Sequence, residues 1–371
     1  METDRIVFSE AIACALPTRQ REDESRGRAQ QHVFLRLETE GGAVGWGEAR
    51  ALPSWTGETL AAITNALTDY WGPILVGSNP FARNAIMATG DEMITPSLSN
   101  GMPTARSAVD MALHDLQGQI TGLSVHELLG GRVRGEISLS PSLRAESPER
   151  LREDCQRWTQ HRCVKMKLVG DLGLDAERLA AVSEAVPQAS IWLDGNQNYT
   201  PTSAATMLER IRSIRRCVLL QQPTPANDWF GLAQLKTRSW LPLAVDEGCY
   251  SAADAMRLAR AGACDLITLK TCKAGGLRDL VRQAEVARAA GLDLLGSGLT
   301  ESGIGLAAAL HVYSTLQLRL PPQLNGPQYL EDLLVAGLQL NHRGDGYVVP
   351  DGAGLGIEVD EERLRSYALA H

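Results

Sequence analysis

Two lysines one residue apart are the first side chains in this sequence whose spacing suggests acid–base chemistry. Lys165 and Lys167 lie in the short apolar run 163–169, where alternation puts both on one face and the apolar Met166 and Leu168 on the other. If the apolar face packs on helices, the two ammonium groups point into an interior. A lysine beside a second positive charge has a lowered pKa and can act as a base. An isolated Lys-x-Lys pair is more often part of a solvated strand. The neighbouring motifs must therefore show whether this pair belongs to a site.

Oxygen-bearing side chains follow the next three apolar runs. These runs end in Asp194 and Asn196, in Gln221 and Gln222, and in Asp246 and Glu247. A single acidic residue after a strand often does no more than cap the next helix. Carboxylate and amide oxygens at three successive strand ends, however, converge on one point and suit a hard cation such as Mg²⁺, for which Mn²⁺ can substitute. A further lysine, Lys270, follows the next run.

The spacing of the apolar runs predicts the fold that brings these residues together. Eight runs recur roughly every 23 to 28 residues, with helical stretches rich in Ala, Arg, Glu and Leu between them. This pattern is typical of an α/β fold with an eight-stranded parallel barrel. We place its strands at 136–140, 163–169, 190–196, 217–222, 242–247, 265–272, 293–298 and about 316–320. A doubly wound sheet is disfavoured because no glycine-rich phosphate loop follows the first strand.

The barrel also suggests a reaction, because barrel enzymes build their sites at the carboxyl ends of the strands. Strands two and six lie opposite each other, so we expect Lys167 and Lys270 to face one another across the pocket. Removal of a proton from one face of a carbon and return of a proton to the other face inverts a stereocentre. The hydrogen next to a carboxylate is so weakly acidic that a cation on the carboxylate oxygens is also needed to stabilise the enediolate.

The N-terminal part of the chain has a different pattern. Alternating stretches at 5–16, 32–38 and 43–48 predict a small antiparallel sheet, and helical patterns follow at 57–71 and 105–121. The charged segment 18–31 is expected to be an exposed loop. We therefore divide the chain into an α+β domain at 1–130, a barrel at 131–340, and a segment at 341–371 that returns to the N-terminal sheet.

Composition excludes several other classes of protein. Hydrophobic residues make up 44% of the 371 residues, enough for a large core, and the formal net charge of −8 disfavours binding to nucleic acid. Seven scattered cysteines disfavour a disulfide framework. Neither a signal peptide nor a run long enough to span a membrane is recognisable. We expect a cytoplasmic homo-oligomer that acts on a small-molecule carboxylate, without a nucleic-acid or membrane partner.

In combination, the motifs resemble the enolase superfamily, in its muconate lactonizing enzyme subgroup within the mandelate racemase/muconate lactonizing enzyme family. The resemblance covers nearly the whole chain, and its motifs are weak singly but specific together. They are the segments 108–116, 128–131, 165–167, 194–197, 246–247, 270–276 and 301–305. The resemblance implies a modified TIM barrel, (β/α)7β, beneath an α+β capping domain.

The resemblance also implies roles for individual residues. Lys167 and Lys270 match the two acid–base lysines of the family, and Lys165 matches the lysine that contacts the substrate carboxylate. The three metal ligands of the family fall on Asp194, Gln221 and Asp246. The second of these is ordinarily the Glu of a Glu-Gln-Pro triplet. Its replacement by glutamine leaves an oxygen ligand without a negative charge, so we expect weaker metal binding.

Four further residues are candidate substrate contacts. Trp55 falls where the family has a loop that closes over the substrate, either as a contact or as a hydrophobic plug. Glu301 follows strand seven, as a site residue or as a structural partner, and Asn196 and Asn325 complete the set. Dipeptide epimerases resemble this chain in the barrel but have an Asp-x-Asp pair at strand eight for the substrate ammonium. The neutral segment 323–327 favours N-substituted or cyclic, proline-like amino acids instead.

Three functions remain open. The leading hypothesis is an Mg²⁺-dependent racemase or epimerase of an amino-acid derivative. The second is a lyase with the same two lysines, either a cycloisomerase similar to muconate cycloisomerase or a syn-dehydratase similar to one for hydroxyproline. The third is a non-catalytic barrel that lost its metal through Gln221. A histidine base is disfavoured because none of the seven histidines ends strand six or seven.

Overall fold

The computed structural model of the protein describes residues 4–19, 29–97, 99–144 and 147–369. The strands, in chain order, are β1 Ile6–Pro17, β2 Ala29–Thr39, β3 Val44–Arg50, β4 Glu136–Ser138, β5 Ser142–Leu143, β6 Cys163–Lys167, β7 Ser190–Asp194, β8 Cys217–Gln221, β9 Leu243–Val245, β10 Leu266–Leu269, β11 Asp293–Gly296, β12 Val335–Ala336, β13 Gly346–Val348 and β14 Glu358–Val359. The α-helices are α1 Pro53–Thr56, α2 Leu60–Asn65, α3 Gly72–Leu75, α4 Arg83–Met93, α5 Pro103–Thr121, α6 Val125–Leu128, α7 Pro148–Cys155, α8 Leu172–Ala185, α9 Pro201–Arg210, α10 Trp229–Lys236, α11 Ala252–Ala261, α12 Thr271–Ala274, α13 Leu277–Ala289, α14 Gly303–Ser314, α15 Gly326–Tyr329 and α16 Glu361–Ser366.

The N-terminal strands form an antiparallel sheet in the order β1-β2-β3, which confirms the predicted small sheet. Helix α5 packs across it because a glycine on β3 lets the two backbones come close. A Cβ atom at Gly47 would lie 1.9 Å from the Ala108 carbonyl oxygen. The helix ends at Gly122, whose φ of 72° favours glycine. The predicted loop 18–31 is shorter than expected, because β2 begins at residue 29; residues 20–28 lie outside the described ranges.

The predicted helix 57–71 is divided into parts. Gly57, with a φ of 78°, ends the short helix α1, and the Thr59 side chain accepts a hydrogen bond from the backbone N–H of Ala62. This cap begins α2, which continues as a π-helical segment at Ala66–Trp71. The prediction missed the division because a left-handed glycine followed by a threonine cap starts a new helix.

Seven parallel strands form the barrel sheet in the order β5-β6-β7-β8-β9-β10-β11. A short segment closes it: Gln323 pairs in parallel with Ser297, and the Pro322 carbonyl accepts from the Ser140 backbone N–H at 2.9 Å. The strands β6 to β11 each contribute one side chain to an apolar cluster inside the barrel, which contains Cys163, Trp192, Leu219, Ala244, Leu266 and Leu295. The predicted parallel barrel beneath a capping domain is therefore confirmed.

Two of the predicted barrel strands were placed wrongly. The segment expected at 136–140 forms β4, which pairs antiparallel with β13, and the first barrel strand is β5. The segment expected at about 316–320 is not a strand; Leu320 packs against the apolar cluster inside the barrel, and Gln323 takes the eighth strand position. An apolar run in the sequence does not show whether the segment forms a strand of the barrel or only contributes a side chain to its interior.

Helices after the barrel strands begin at polar caps. Side chains that accept a backbone N–H of the following helix lie before α8, α9, α10, α11 and α14; they are Asp171, Thr200, Asp228, Ser251 and Ser302. Each cap satisfies a donor that the helix itself cannot pair. The caps therefore determine where each helix begins after its strand. Most candidate site residues lie in or next to these connections, at the carboxyl ends of the strands.

The C-terminal segment returns to β1. Ala368 pairs with Cys14, and the Leu369 backbone N–H donates to the Ala13 carbonyl at 2.8 Å. All seven cysteines are free and buried. In the described part of the chain, no helix has the length and apolar character needed to cross a membrane. The domain boundaries at 130 and 340, the homo-oligomeric state and the cytoplasmic location stay predictions.

Candidate active site

The two lysines of β6 lie inside the barrel. Lys165 is fully buried; its Nζ lies 3.0 Å from Asp194 Oδ2 and donates to Gln323 Oε1 at 3.3 Å. Lys167 ends the strand, contacts the same Asp194 oxygen and donates to Asn196 Oδ1 at 2.8 Å. Both ammonium groups therefore converge on the carboxylate at the end of β7, as the alternation of the strand indicates.

Asp194, Gln221 and Asp246 meet at the ends of three neighbouring strands. Asp194 ends β7, Gln221 ends β8 and Asp246 directly follows β9, and all three side chains are buried. The amide Nε2 of Gln221 donates to Asp194 Oδ2 at 3.1 Å and to Asp246 Oδ2 at 2.7 Å. Gln221 thus bridges the two carboxylates, and the three groups form one polar cluster.

Lys270 approaches the cluster from the other side. It follows β10, and its Nζ donates to Asp246 Oδ2 at 2.7 Å. A continuous chain of contacts therefore runs from Lys167 through Asp194, Gln221 and Asp246 to Lys270. The two lysines lie at the two ends of this chain, four strands apart in the barrel sheet.

Burial and neighbouring charges separate the pKa values of these two lysines. Burial, assisted by the Lys165 ammonium, lowers the pKa of Lys167 to about 7, although the Asp194 carboxylate acts in the opposite direction. Burial also favours the neutral form of Lys270, but the carboxylates of Asp246 and Glu247 outweigh it and raise the pKa of Lys270 above its ordinary value. Near neutral pH the pair can therefore supply one base and one acid.

The strand ends carry the charge and the donor atoms that a hard cation needs. Burial raises the pKa of Asp194, but Lys165 and Lys167 outweigh burial and hold that pKa at about 2. The pKa of Asp246 lies well below its usual range, because Lys270 and Lys273 outweigh the effect of burial. Both carboxylates are therefore ionised at neutral pH, and carboxylate oxygens are the ligands that Mg²⁺ prefers.

Gln221 decides whether a third donor is present. Its buried Oε1 has no hydrogen-bond partner among the described residues, whereas its Nε2 has two. After a half-turn of the amide, this oxygen would face the two carboxylates and could serve as a third donor to a cation. The donor set therefore fits the cation. Within the described ranges, no group of three His, Cys, Asp or Glu could hold a metal ion, because an amide stands between the aspartates.

Glu247 is a further oxygen donor beside this cluster. It is 8% exposed; Oε1 accepts from Asn196 Nδ2 at 3.0 Å, and Oε2 is buried without a partner in the described part of the chain. Burial, and then the Asp246 and Asp194 carboxylates, raise its pKa. The left-handed φ of 39° at Asn196 puts that amide between Glu247 and Lys167.

Trp55 covers Lys270 from the capping side. Its ring centroid is 3.9 Å from Lys270 Nζ, a cation–π contact, and it stacks on the ring of Tyr250 at 6.5 Å between centroids. Trp55 belongs to α1, so the N-terminal part of the chain contributes directly to the wall of the pocket. The sequence did not indicate Tyr250, because a single tyrosine in a loop carries no signal of its own for a site.

The other two candidate contacts are engaged with their neighbours. Glu301 is buried, and its Oε1 accepts from the Leu299 backbone N–H at 2.7 Å. Burial raises the pKa of Glu301. Asn325 is also buried, and its Oδ1 accepts from the Thr300 hydroxyl at 3.0 Å. Both lie on the strand-seven and strand-eight side of the site, and their roles toward a substrate stay predictions.

Three residues outside the predicted set of catalytic, metal and substrate residues also hold the site together. Gln323 was missed because strand eight was placed too early in the chain. Gln222 directs its Oε1 to the backbone N–H groups of Asp246 and Gly248, at 2.9 and 3.2 Å. Lys273 donates to Asp246 Oδ1 at 2.7 Å and to two carbonyls, one of them that of Asp246. From the sequence, Lys273 is expected to be a supporting residue and not a catalytic one, because Lys270 lies where strand six should end.

Two family models match most of the chain. Residues 6–130 match the mandelate racemase / muconate lactonizing enzyme N-terminal domain, and residues 150–363 match the enolase C-terminal domain-like model. Enzymes with these domains generally use Mg²⁺. The matches span both the capping sheet and the barrel described above.

Individual relatives are similar over almost their whole length. A chloromuconate cycloisomerase from Cupriavidus necator is 31% identical over 349 residues, 92% of each chain. The crystal structure of an N-succinyl Arg/Lys racemase from Bacillus cereus superposes with a TM-score of 0.91 at 27% identity, covering 99% of this chain and 98% of the other. A muconate lactonizing enzyme from Pseudomonas fluorescens, complexed with muconolactone, superposes with a TM-score of 0.92 at 30% identity, covering 99% and 100%.

Proposed function

Because the chain belongs to the mandelate racemase / muconate lactonizing enzyme family and is an enzyme of the enolase superfamily, we propose that it is a racemase or epimerase acting at the carbon next to a carboxylate. The observation that carries this proposal is the chain of contacts from Lys167 through Asp194, Gln221 and Asp246 to Lys270. It supports a pocket in which one carbon has a lysine on each face.

The two lysines exchange protonation states during one turnover. Neutral Lys167 takes the proton from one face of the carbon and becomes an ammonium, and protonated Lys270 delivers a proton to the opposite face. The substrate is inverted without any change in mass. In the reverse direction Lys270 is the base and Lys167 is the acid. Buried Lys165 contributes a fixed positive charge that attracts the substrate carboxylate to the same place.

We propose that Asp194, Asp246 and the turned amide of Gln221 hold Mg²⁺, with Mn²⁺ as a substitute and Glu247 as a neighbouring donor. When bound, the cation stabilises negative charge on the carboxylate oxygens of the substrate. Trp55 excludes water on the Lys270 side, and Asn196 holds Lys167 in its orientation. The donor set contains two ionised carboxylates and an unpaired buried amide oxygen, which supports this assignment.

We propose an N-substituted or cyclic, proline-like amino acid as the substrate. The segment at the eighth strand position presents amides, Gln323 and Asn325, and no carboxylate to pair a free substrate ammonium. A relative that racemises N-succinyl arginine and lysine is 28% identical over 348 residues, which agrees with a substituted nitrogen.

Exchange of the Cα hydrogen in D₂O tests the proposal. The protein, with Mg²⁺, is incubated with a panel of N-acylated and cyclic amino acids, and exchange is followed by NMR while inversion is followed by polarimetry. We expect both, and we expect Lys167→Met or Lys270→Met to slow inversion by about 10²-fold or more. Lys236→Met is the matched control, because Lys236 contacts Cys264 and Asp265 outside the site. Normal inversion in both site variants would refute the proposal.

A cycloisomerase or a dehydratase is the second candidate, and the identity of 31% to a chloromuconate cycloisomerase favours it. Such an enzyme would use the same lysines, but it would close a ring or remove water. Mass spectrometry of the product separates the cases: an unchanged mass with inversion supports racemisation, and loss of one water supports dehydration. Conversion of a muconate to a lactone, followed by ultraviolet absorbance, would support cycloisomerisation.

A further inference from the structure

A further cationic side chain, Arg144, stands at the mouth of the barrel beside Lys167. Strand β5 pairs in parallel with β6 so that Ser142 lies beside Lys165. Arg144 directly follows β5, which ends at Leu143, and its positive charge acts on Lys167, the last residue of β6. The hydrogen bond from Arg144 Nε to Ser142 Oγ keeps this side chain on the side of β5 that carries Ser142, which lies beside Lys165. Arg144 lies on the side of Lys167 opposite to β7, the strand of Asp194.

In the described part of the chain, the guanidinium of Arg144 is fixed along its Nε edge and contacts one aromatic ring. Its Nε donates to Ser142 Oγ at 3.2 Å, and its guanidinium carbon lies 5.6 Å from the centroid of the Tyr329 ring. Its two terminal nitrogens form no hydrogen bond or ion pair with any residue in the described ranges. A planar guanidinium held at Nε presents its terminal N–H groups as a fork, the shape that binds a carboxylate with two parallel hydrogen bonds.

Among the described residues, no carboxylate forms an ion pair with Arg144. Lysines at 165 and 167 contact Asp194, and lysines at 270 and 273 contact Asp246, so these carboxylates are already shared. The amide of Gln221 adds no negative charge. The positive charge of Arg144 reaches the reacting lysine, since it adds to burial and to Lys165 in lowering the pKa of Lys167 to about 7. A substrate with a single carboxylate would leave this fork empty.

We propose that Arg144 binds a second anionic group of the substrate, a carboxylate remote from the reacting carbon. The proposal rests on the proposed function, because it takes the reacting carbon to lie between Lys167 and Lys270. A ligand whose first carboxylate lies at Lys165 would extend past Lys167 to reach the fork. The substrate class is then narrowed to dianions: amino acids whose nitrogen substituent ends in a carboxylate.

Binding of two matched probes tests the proposal directly. The probes are N-succinylalanine and its terminal amide, N-succinamoylalanine, which differ by one negative charge at nearly constant shape. Calorimetric titration in the presence of Mg²⁺ compares the wild-type protein, Arg144→Gln, Arg144→Lys and the control Arg212→Gln on the barrel exterior. We expect the wild-type protein and the control to bind the diacid about tenfold or more tightly than the amide. We expect Arg144→Gln to bind both probes equally and Arg144→Lys to keep part of the preference.

Kinetics adds a readout that a purely structural role would not give. Where the diacid is exchanged at Cα, Arg144→Gln should raise KM for the diacid about tenfold and leave KM for the amide unchanged. Equal affinity of the wild-type protein for both probes, binding of neither probe, or a full preference in Arg144→Gln would each overturn the proposal. If the preference depends on Arg144 but no substrate of the panel exchanges its Cα hydrogen, the anion site stands and the racemase proposal fails.

Discussion

Gln221 places a neutral amide between two ionised aspartates, so one substitution should shift the balance between metal affinity and turnover. Gln221→Glu puts a third carboxylate about 3 Å from the other two. We expect Mg²⁺ to bind at least about tenfold more tightly, because hard cations favour carboxylates, while the more neutralised cation stabilises the substrate anion less. Without Mg²⁺ the like charges should lower the Tm of the variant. Calorimetric titration and thermal unfolding with and without Mg²⁺ measure both effects.

Gln234→Glu, which adds the same charge on the exposed face of α10, is the matched control and should change neither quantity. Equal Mg²⁺ affinity in the wild-type protein and Gln221→Glu would mean that the amide points away from the cation and that Glu247 completes the donor set. Binding of Mg²⁺ by the Glu variant alone would contradict a metal-dependent activity of the native chain.

Lys270 and Lys167 should act on opposite faces of one carbon, because they lie at opposite ends of the carboxylate cluster. In Lys270→Met we expect inversion to be lost while exchange of the Cα hydrogen continues for one enantiomer only. Lys167→Met should show the opposite preference. Exchange of both pure enantiomers in D₂O, followed by NMR for each variant, measures this. Exchange of both enantiomers by either single variant would exclude a mechanism with one lysine on each face.

At the scale of elements, acidic side chains from the N-terminal part cap the barrel helices. Asp110 on α5 accepts from the backbone N–H groups of Leu277 and Arg278, at 2.6 and 3.3 Å, at the start of α13. Asp110→Ala leaves these buried donors unpaired, so we expect the free energy of unfolding to fall by about 2 to 4 kcal/mol. Asp110→Asn keeps an acceptor and should lose clearly less. Urea unfolding of both variants measures the difference, and equal losses would argue against a capping role.

Glu48 makes the corresponding contact one helix later. It accepts from the backbone N–H groups of Ser302 and Gly305, both at 2.7 Å, at the start of α14, and from His32 Nδ1. These two caps attach the N-terminal sheet to the helices that follow strands six and seven. Lys270 and Glu301 follow the same two strands, so β3 and α5 are fixed relative to these site residues.

At the scale of the whole molecule, buried His311 should make stability depend on pH. It joins α14 to two other parts of the chain: Nε2 donates to the Leu355 carbonyl at 3.0 Å, and Nδ1 accepts from the His126 backbone N–H at 3.2 Å. Both nitrogens are thus used by the neutral ring, and burial lowers the pKa of His311 to about 4. Between pH 6.5 and 4 the unfolded chain binds a proton here that the folded protein does not, so stability falls as the pH falls.

The expected contribution of His311 is a loss of about 2 kcal/mol between pH 7 and pH 5. Residue 311 cannot titrate in His311→Gln. From pH 7 to pH 5 the free energy of unfolding of this variant should therefore fall by about 2 kcal/mol less than that of the wild-type protein, whatever the variant's stability at pH 7. Other groups near the ring, His126, Arg132 and Asp351, are unchanged in this comparison. Urea unfolding of both proteins at pH 7 and pH 5 measures it. Identical losses in the two proteins would show that His311 does not titrate on unfolding.

The sequence alone predicted a parallel barrel and polar side chains at the ends of its strands, although two of the eight strands were placed wrongly. The alternation in β6 predicted that Lys165 and Lys167 share a face, and regular spacing predicted that Asp194, Gln221 and Asp246 follow neighbouring strands. Both features are local: side chains alternate between the two faces of a strand, and the spacing of apolar runs reflects the lengths of strands and helices. The parallel order of strands then follows from short helical connections, so the spacing of the runs was enough to predict that the two lysines are opposed.

Only the tertiary structure decided which residues close the barrel and what each polar atom contacts. Leu320 packs against the cluster inside the barrel, and Gln323 takes the strand position, because packing inside a closed barrel depends on partners distant in the chain. The bridging amide of Gln221, the cover of Trp55 over Lys270 and the open fork of Arg144 are likewise contacts between separate elements. Sequence spacing has no information about such contacts, since they depend on how strands align and how the N-terminal sheet docks on the barrel.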